Sequence, residues 1–495
     1  MPGRRPEDSS SAAPTGAAGQ ATPAAAARRL VAALAPVTPL LSELGGVFVA
    51  AGHRLSLVGG PVRDALLGRT PADLDFTTDA RPEQVRDLLS SWADTHWDVG
   101  ITFGTVGARR GDHVVEVTTY RSEVYRSDSR KPMVTFGDSL EDDLFRRDFT
   151  VNAMALDLPG LGFVDPYGGL GDLADQRLRT PGLPEDSFTD DPLRMMRAAR
   201  FAAQLGFAVD PAVTAAVSAL ADRIEIVSAE RVRDELVKLV QSTRPRAGLT
   251  LLVDTGLADR VLPELPRLRL EVDEHHRHKD VYEHTLTVLE QAIALEPDGP
   301  DLVLRLAALL HDIGKPKTRR FEPGGGVSFH HHEVVGAKLA AARLRALRFP
   351  KHVVDEVARL VELHLRFHGY GTGVWTDAAV RRYVADAGPQ LEQLHRLTRS
   401  DCTTRNRRRA EALRRSYDDL EERIARLREQ EELDSIRPDL DGNDIMTILG
   451  LPPGPVVGRA WRHLKEQRLE RGPMSRDDAV AELSRWWAEQ PEASA

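Results

Sequence analysis

At 495 residues the chain is longer than one ordinary core and is expected to divide into about three domains. A hydrophobic content of 41% with 28% charged residues is that of soluble globular proteins, and no apolar run approaches the roughly 20 residues of a membrane span. The single cysteine, Cys402, excludes an internal disulfide and a Cys-rich zinc module and fits a reducing, cytoplasmic setting, while a net charge of -9 argues against a sequence-blind polyanion binder without excluding a locally basic RNA-binding face.

Residues 1–26 are rich in Ala, Pro, Ser and Gly and are expected to be disordered, with neither a secretory signal nor a transit peptide. From Ala27 to Gly52, the leucines at 30, 34, 40, 41 and 44 predict helical packing elements that lead into a strand at Leu55–Val58. Gly59-Gly60 reads as a tight turn and Pro61–Leu67 as a short helix, a geometry in which backbone N–H groups cradle a phosphate. Asp73-Leu74-Asp75 follows. In an extended segment, side chains two apart share a face, so both carboxylates meet one spot while Leu74 and Phe76 turn to the core. Two hard oxygen ligands beside a phosphate cradle make a Mg²⁺-nucleotide site, against the alternative of a turn with incidental acids.

Arg81–Trp92 has helical spacing, and the runs at 105–108 and 114–120 predict a hairpin. Glu116 admits two readings, a third carboxylate of the site or an outward-facing strand residue. The polar stretch from Glu123 to Phe136 suits a loop near substrate. Leu140–Leu156 reads as an apolar helix interrupted by Arg146, Arg147 and Asp148, and Asp165–Gly169 as a turn whose glycines offer a hinge. From Asp190, acids at the start, Pro192 in the first turn and Gly206 at the end bracket a helix. On it Asp191, Arg194, Arg197 and Arg200 step by threes, drifting by roughly 60° per step, so adjacent members are neighbours.

The motifs Leu-Val-Gly-Gly-x-Val-Arg-Asp (57–64), Asp-Leu-Asp (73–75), Arg-Arg-Asp-Phe-Thr-Val-Asn-Ala (146–153), Asp-Pro-Tyr-Gly-Gly (165–169), Asp-Pro-Leu-Arg-x-x-Arg-x-x-Arg-Phe (191–201) and Ser-Ala-Glu-Arg (228–231) occur in that order. Together they resemble the bacterial class II tRNA nucleotidyltransferases, the CCA-adding enzymes. The resemblance covers about 200 residues and implies an α+β fold: a polymerase-β-like nucleotidyltransferase head over 27–180, then all-α domains. These are a neck and body over 181–272, an HD domain over 273–402 and a tRNA-binding tail over 403–495. It implies template-independent addition of C, C and A to tRNA from CTP and ATP, with Asp73 and Asp75 catalytic and Mg²⁺ on the two aspartates, and Glu116 joins the catalytic set on the first of its two readings. Gly59, Gly60, Arg63, Arg147, Asp148, Arg197 and Arg200 are implied to bind the nucleotide, and Asp191 with Arg194 to read its base. The chemistry agrees, because cytosine and adenine both present an amino donor beside a ring-nitrogen acceptor, which a carboxylate and a guanidinium match. Uracil and guanine put a carbonyl where the amino group is needed. Glu230 and Arg231 belong to a motif read as structural.

From Val281 the composition shifts to histidine. His284, His311-Asp312, His332, His364 and Asp401 follow the order H…HD…H…H…D, which resembles the HD phosphohydrolase superfamily, an all-helical fold with one or two divalent metals. Mixed N/O ligands suit Mn, Ni, Fe or Mg. His275, His276 and His278 are expected to be solvated, and His332 is preferred over His330 and His331 because it directly precedes the Glu of the resembling motif. Beyond Arg405–Arg409 a long amphipathic helix reaches past Leu427, and 441–464 reads as helix, turn and return helix, resembling the family's tRNA-gripping tail. The expected partners are tRNA, CTP and ATP, with no DNA and no membrane, in a monomer or homodimer. Rival readings are a bacterial poly(A) polymerase, a CC- or A-adding specialist, and an HD phosphohydrolase whose head only binds RNA. Gly-Thr-Val-Gly at 104–107 and Glu-Val-Thr-Thr-Tyr-Arg at 116–121 favour the CCA-adding group over the first.

Overall fold

Seven strands make one mixed sheet: β1 (Leu55–Val58), β2 (Leu74–Thr78), β3 (Thr95–Trp97), β4 (Thr105–Arg110), β5 (His113–Thr119), β6 (Ala155–Leu158) and β7 (Gly162–Val164), in the spatial order β3-β4-β5-β2-β1-β6-β7. This computed structural model describes residues 23–71, 73–101, 104–121, 136–269, 280–323, 326–370, 375–404, 406–431 and 437–494. The chain forms two compact units, one of residues up to Arg194 with Phe207–Ala216, the other of Met195–Gly206 with Val217 onward.

In the seven-stranded sheet only β2 and β5 run parallel, and the other pairings are antiparallel. Strand alternation sorts the side chains. Leu74 and Phe76 of β2 and Val115 and Val117 of β5 enter a core shared with Leu44, Phe48, Leu55 and Leu57, while Asp75 and Glu116 take the opposite parity. Helices Pro23–Ala33 and Thr38–Ala50 contribute Ala26, Leu30, Leu41 and Leu44 to that core. The N-terminal expectation is therefore corrected: ordered helix begins at Pro23, because Ala26 and Leu30 fall on one apolar face and are fully buried. The predicted helix Pro82–Trp92 and the 105–119 hairpin are present, the latter turning at Gly111-Asp112.

The expected apolar helix over Leu140–Leu156 is not formed. A one-and-a-half-turn helix ends at Phe145, a 3₁₀ turn covers Thr150–Asn152, and Ala155–Leu158 becomes β6, hydrogen-bonded to β1. An alternating apolar run beside an unpaired strand edge gains a full ladder of backbone hydrogen bonds, which a local helical spacing cannot anticipate. At the Asp165–Gly169 turn the contacts of Gly169 are close. Asp165 accepts hydrogen bonds from the N–H groups of Gly169 and Leu170, and a Cβ on Gly169 would lie 2.2 Å from the Thr150 carbonyl oxygen, so the glycine serves close packing. The helix expected from Asp190 forms over Leu193–Leu205, while Asp190 ends the preceding helix Pro184–Asp190.

The second unit is helical. Ser228 caps Ala229–Val240 through the Arg231 N–H, as predicted, and buried Arg305 binds Glu296 and donates to the carbonyls of Val240 and Ser242. Helices Val281–Ala294, Leu302–Leu310, His332–Ala346, Lys351–Leu363 and Leu391–Ser400 follow. The long helix Arg407–Glu431 buries Tyr417, Leu420, Ile424 and Leu427, spaced by three or four, and leaves Arg407, Arg408 and Arg409 exposed. Helices Gly442–Leu449, Pro455–Arg471 and Arg476–Ala488 close a small core around Leu440, Ile445, Leu464 and Leu483. The loop from Glu123, the histidines 275, 276 and 278, and Arg405 lie outside the described residues.

Candidate active site and metal centre

The first site grows from the β1–β2–β5 centre of the sheet. Parallel pairing places Asp75 directly beside Glu116, and Asp73 lies two residues before Asp75, in the bend that leads into β2. Asp73 and Glu116 are exposed and Asp75 is half-buried. Burial raises the Asp75 carboxyl above its usual range, and the charges of Glu116 and Asp73 add to this, against the lowering effect of Arg147. A carboxylate held this way gains from a divalent cation, so the donor set fits Mg²⁺.

Arg147 is held by Asp143 (Nη2 to Oδ2, 3.2 Å) and stands behind Gly59, where a Cβ would lie 2.9 Å from its Nη1. Gly59 has φ +74° and ψ -131°, a conformation that side chains other than hydrogen strain against, which is why the turn carries glycine. Gly60 begins the short helix Gly60–Leu66. Buried Arg63 donates to both oxygens of Asp64 (2.9 Å each) and to Asn152 Oδ1 (2.7 Å), and Asn152 in turn donates to Asp148 (2.8 Å). Arg63 and Asp148, expected at the nucleotide, thus stand in one hydrogen-bonded chain that joins the Gly-Gly helix to the Arg-Arg-Asp-Phe-Thr-Val-Asn-Ala segment.

Asp191 accepts from the Leu193 N–H (3.1 Å), capping the helix Leu193–Leu205. Arg194 donates to the Ser187 hydroxyl (2.9 Å) and to the Arg146 carbonyl. Arg197 and Arg200 belong to the second unit, where both bind the buried carboxylate of Glu235 at 3.3 and 2.5 Å. Asp143, Asn152 and Glu235 escaped the sequence reading. Asn152 had a signal in its motif, whereas Asp143 in the run Glu141-Asp142-Asp143 had none beyond its neighbours.

The second site gathers all six residues expected there. His311, His364 and Asp401 each cap the C-terminal end of a helix, His332 opens one and His284 lies in the first turn of another. Three helix C-termini therefore direct partial negative charge inward, which favours a cation. His284 Nε2 lies 2.9 Å from Asp401, and Asp312 lies 3.2 Å from His311 Nε2 and 3.3 Å from His332 Nε2. Ring centroids of His284–His311, His311–His364 and His332–His364 are 5.4, 5.3 and 5.3 Å apart. Two sets, His284-His311-Asp401 and Asp312-His332-His364, have donor atoms that all lie within 4.8 Å of one another.

The tautomers follow from the backbone. Nδ1 of His311, His332 and His364 faces the carbonyls of Ala308, Phe329 and Val361 at 2.8, 2.8 and 2.6 Å, and a carbonyl can only accept, so each Nδ1 carries hydrogen. Their Nε2 atoms are buried and make no hydrogen bond. Three such nitrogens converging with two carboxylates are the donor set of a divalent metal. Burial drives His364 down to about 3, with His311 adding to the effect. Burial acts the same way on His311, but the Asp312 and Asp401 charges outweigh it and bring His311 up to about 8. Asp312 and Asp401 stay well below the usual range despite burial, held by His311 and Lys315 and by His284 and His311 respectively. His331 is exposed and His330 is exposed, so the preference for His332 agrees with the geometry. Lys315, whose Nζ lies 2.8 Å from Asp312, was not anticipated.

Three family models match successive stretches of the chain. Residues 55–179 match the poly A polymerase head domain, 206–268 the probable RNA and SrmB-binding site of polymerase A, and 281–427 the HD domain. The A-adding tRNA nucleotidyltransferase of Deinococcus radiodurans is 36% identical over 88% of this chain and 96% of its own length. The CC-adding tRNA nucleotidyltransferase of Thermus thermophilus is 34% identical over 87% and 93% respectively. The CCA-adding enzyme of Bacillus stearothermophilus, solved in complex with CTP, superposes with a TM-score of 0.66 at 26% identity, covering 91% of this chain and 97% of that one. No described helix is long and apolar enough to cross a membrane. With a nucleotidyltransferase head and an HD domain in one polypeptide, the chain belongs to the tRNA nucleotidyltransferase family.

Proposed function

We propose that this protein adds C, C and A to the 3′ end of tRNA from CTP and ATP without a nucleic-acid template, releasing pyrophosphate. The observation that carries the reading is the register of Asp75 beside Glu116, two residues after Asp73, next to the Gly59-Gly60 turn and Arg147. Asp73 and Asp75, with Glu116 beside them, would hold Mg²⁺, which when bound lowers the pKa of the attacking 3′-hydroxyl and neutralises charge on the leaving oxygens. The chain's own task is positioning. The Gly59-Gly60 backbone offers donors to phosphate oxygens, Arg147 is aimed by Asp143, and Arg63 is braced by Asp148 through Asn152. Asp191 and Arg194 would read the base, Asp191 accepting from the exocyclic amino group and Arg194 donating to the ring nitrogen. Arg197 and Arg200 would take phosphate oxygens only in competition with Glu235, which holds them in this structure.

The HD centre is assigned to metal-dependent phosphoester hydrolysis, in which water bonds to phosphorus as the bond to the sugar oxygen breaks and a proton passes to that oxygen. The buried Nε2 atoms support a metal there, and the N/O donors suit Mn, Ni, Fe or Mg.

A second reading has one observation in its favour: the two relatives compared over their whole length are an A-adding and a CC-adding specialist. One experiment separates the readings. Transcripts ending before CC, after CC and after CCA are incubated with CTP or ATP singly. A CCA-adding enzyme extends the first with CTP and the second with ATP and leaves the third alone. Extension of only one transcript identifies a specialist, and unlimited ATP addition a poly(A) polymerase. An Asp73→Ala protein that still transfers nucleotides overturns the active-site assignment.

A further inference from the structure

Between two residues of the metal centre, Asp312 and His332, the chain rises into a small hairpin, Arg320–Phe321 paired with Val327–Ser328. Both feet are fixed at the centre. Lys315 Nζ is 2.8 Å from Asp312, and the Phe329 carbonyl orients His332 by accepting from its Nδ1. Val327 and Phe329 are buried, which seats the returning strand. Opposite Val327 stands Phe321, 74% exposed, the most exposed aromatic side chain among the described large hydrophobics. The guanidinium of Arg319 lies 4.7 Å from its ring. Val327 precedes His332 by five residues, at most about 18 Å of chain, and Phe321 stands across the ladder from Val327.

The approach to this ring is basic. Lys315, Lys317, Arg319 and Arg320 occur within six residues with no acid among them. Lys317 and Arg320 are exposed, and neither makes an ion pair with a described carboxylate. An exposed ring with a guanidinium on it, approached by unpaired cations, is the composition that binds single-stranded nucleic acid: bases stack on the ring and phosphates take the charges. A protein partner covering Phe321 would leave those cations without anions, and an acid-free basic stretch beside a phosphoesterase centre favours a phosphodiester chain.

We propose that the Arg320–Phe321 strand is the capture surface of the HD centre and that its ligand is the single-stranded 3′ end of an RNA, one base of which stacks on Phe321 while Lys317 and Arg320 hold phosphates. This rests on reading the centre as a phosphoester hydrolase. Three full-length proteins, wild type, Phe321→Ala and Phe321→Trp, are assayed with added Mn²⁺ or Ni²⁺ on an unstructured oligoribonucleotide bearing a 3′-phosphate and on p-nitrophenyl phosphate. Phe321→Ala should raise KM for the RNA relative to KM for the small ester by about 5- to 100-fold, the worth of one base stack. Phe321→Trp should keep the wild-type ratio, and its added tryptophan emission should be quenched by the oligonucleotide. An unchanged ratio in Phe321→Ala overturns the proposal. Hydrolysis of neither substrate by the wild type would sink the hydrolase reading instead; quenching then decides the strand alone, and its absence in Phe321→Trp overturns the capture role.

Discussion

Adding one methyl group to each of the two adjacent glycines should separate a backbone requirement from a ligand requirement. At Gly59 the new Cβ would sit on a backbone with φ +74°, and it would meet Arg147 Nη1 at 2.9 Å. Strain of this kind costs about 1–3 kcal/mol, and the guanidinium, being the far end of a flexible side chain, moves aside for little more. Gly59→Ala should therefore lose about 2 kcal/mol and melt roughly 5 °C lower, and because Arg147 is displaced from beside Asp75 its nucleotide incorporation should fall by at least about tenfold. At Gly60 φ is ordinary and the nearest atom to a Cβ is Arg63 Nη2 at 3.8 Å, so Gly60→Ala should melt within about 1 °C of the wild type. If phosphate oxygens approach the Gly60 backbone, as proposed, that same stable variant should show a raised KM for CTP and ATP. The assay is thermal unfolding by calorimetry, paired with single-nucleotide incorporation into tRNA transcripts at varied CTP and ATP. A Gly59→Ala protein of wild-type stability and rate would refute the strain argument. A Gly60→Ala protein with unchanged KM would refute the phosphate cradle.

Asp191→Ala should keep the fold, losing one helix-capping bond worth about 1 kcal/mol, but should narrow the preference for CTP and ATP over UTP and GTP; unchanged selectivity in competition assays removes Asp191 from base reading. His364→Leu should abolish metal uptake measured by elemental analysis, and because it also removes the Nδ1 donor to the Val361 carbonyl it should melt below metal-stripped wild type by the worth of one hydrogen bond, about 1 kcal/mol. A saturating metal should stabilise the wild type by about 4 kcal/mol at a thousandfold excess over Kd and this variant not at all. Away from both sites, burial holds His395 down at about 4, with Arg399, Arg428 and Arg396 adding to it, against Glu392 and with Glu421 only 3.4 Å away. Its folded value lies below the unfolded 6.5, so the unfolded chain binds the extra proton. The resulting stability is complete above pH 6.5 and is lost as pH falls towards 4, to a total of roughly 3 kcal/mol. His395→Phe, which preserves the stack on Tyr383, should flatten the urea-denaturation profile across that window, and an equally steep profile would contradict the assignment.

The sequence by itself determined the elements whose residues carry local physical signals. The Leu55–Val58 strand, the glycine turn and the alternating Asp73-Leu74-Asp75 segment follow from period-two burial and positive-φ chemistry, and all three are present. The order of six metal-type residues was legible through its resemblance to the HD superfamily, and the fold brings the six together. Tertiary structure alone decided what depends on partners distant in the chain. Glu116 became a neighbour of Asp75 only through the parallel β2–β5 pairing, 41 residues apart in sequence, which a single residue's polarity cannot specify. The 155–158 run became a strand because β1 offered it an open edge. Arg63 and Asp148 took bracing positions through Asn152, and Arg197 and Arg200 met Glu235, because buried guanidinium and carboxylate groups must satisfy one another wherever the fold brings them together. The identity of a ligand-type residue is local, whereas its availability to a ligand is set by its neighbours in space.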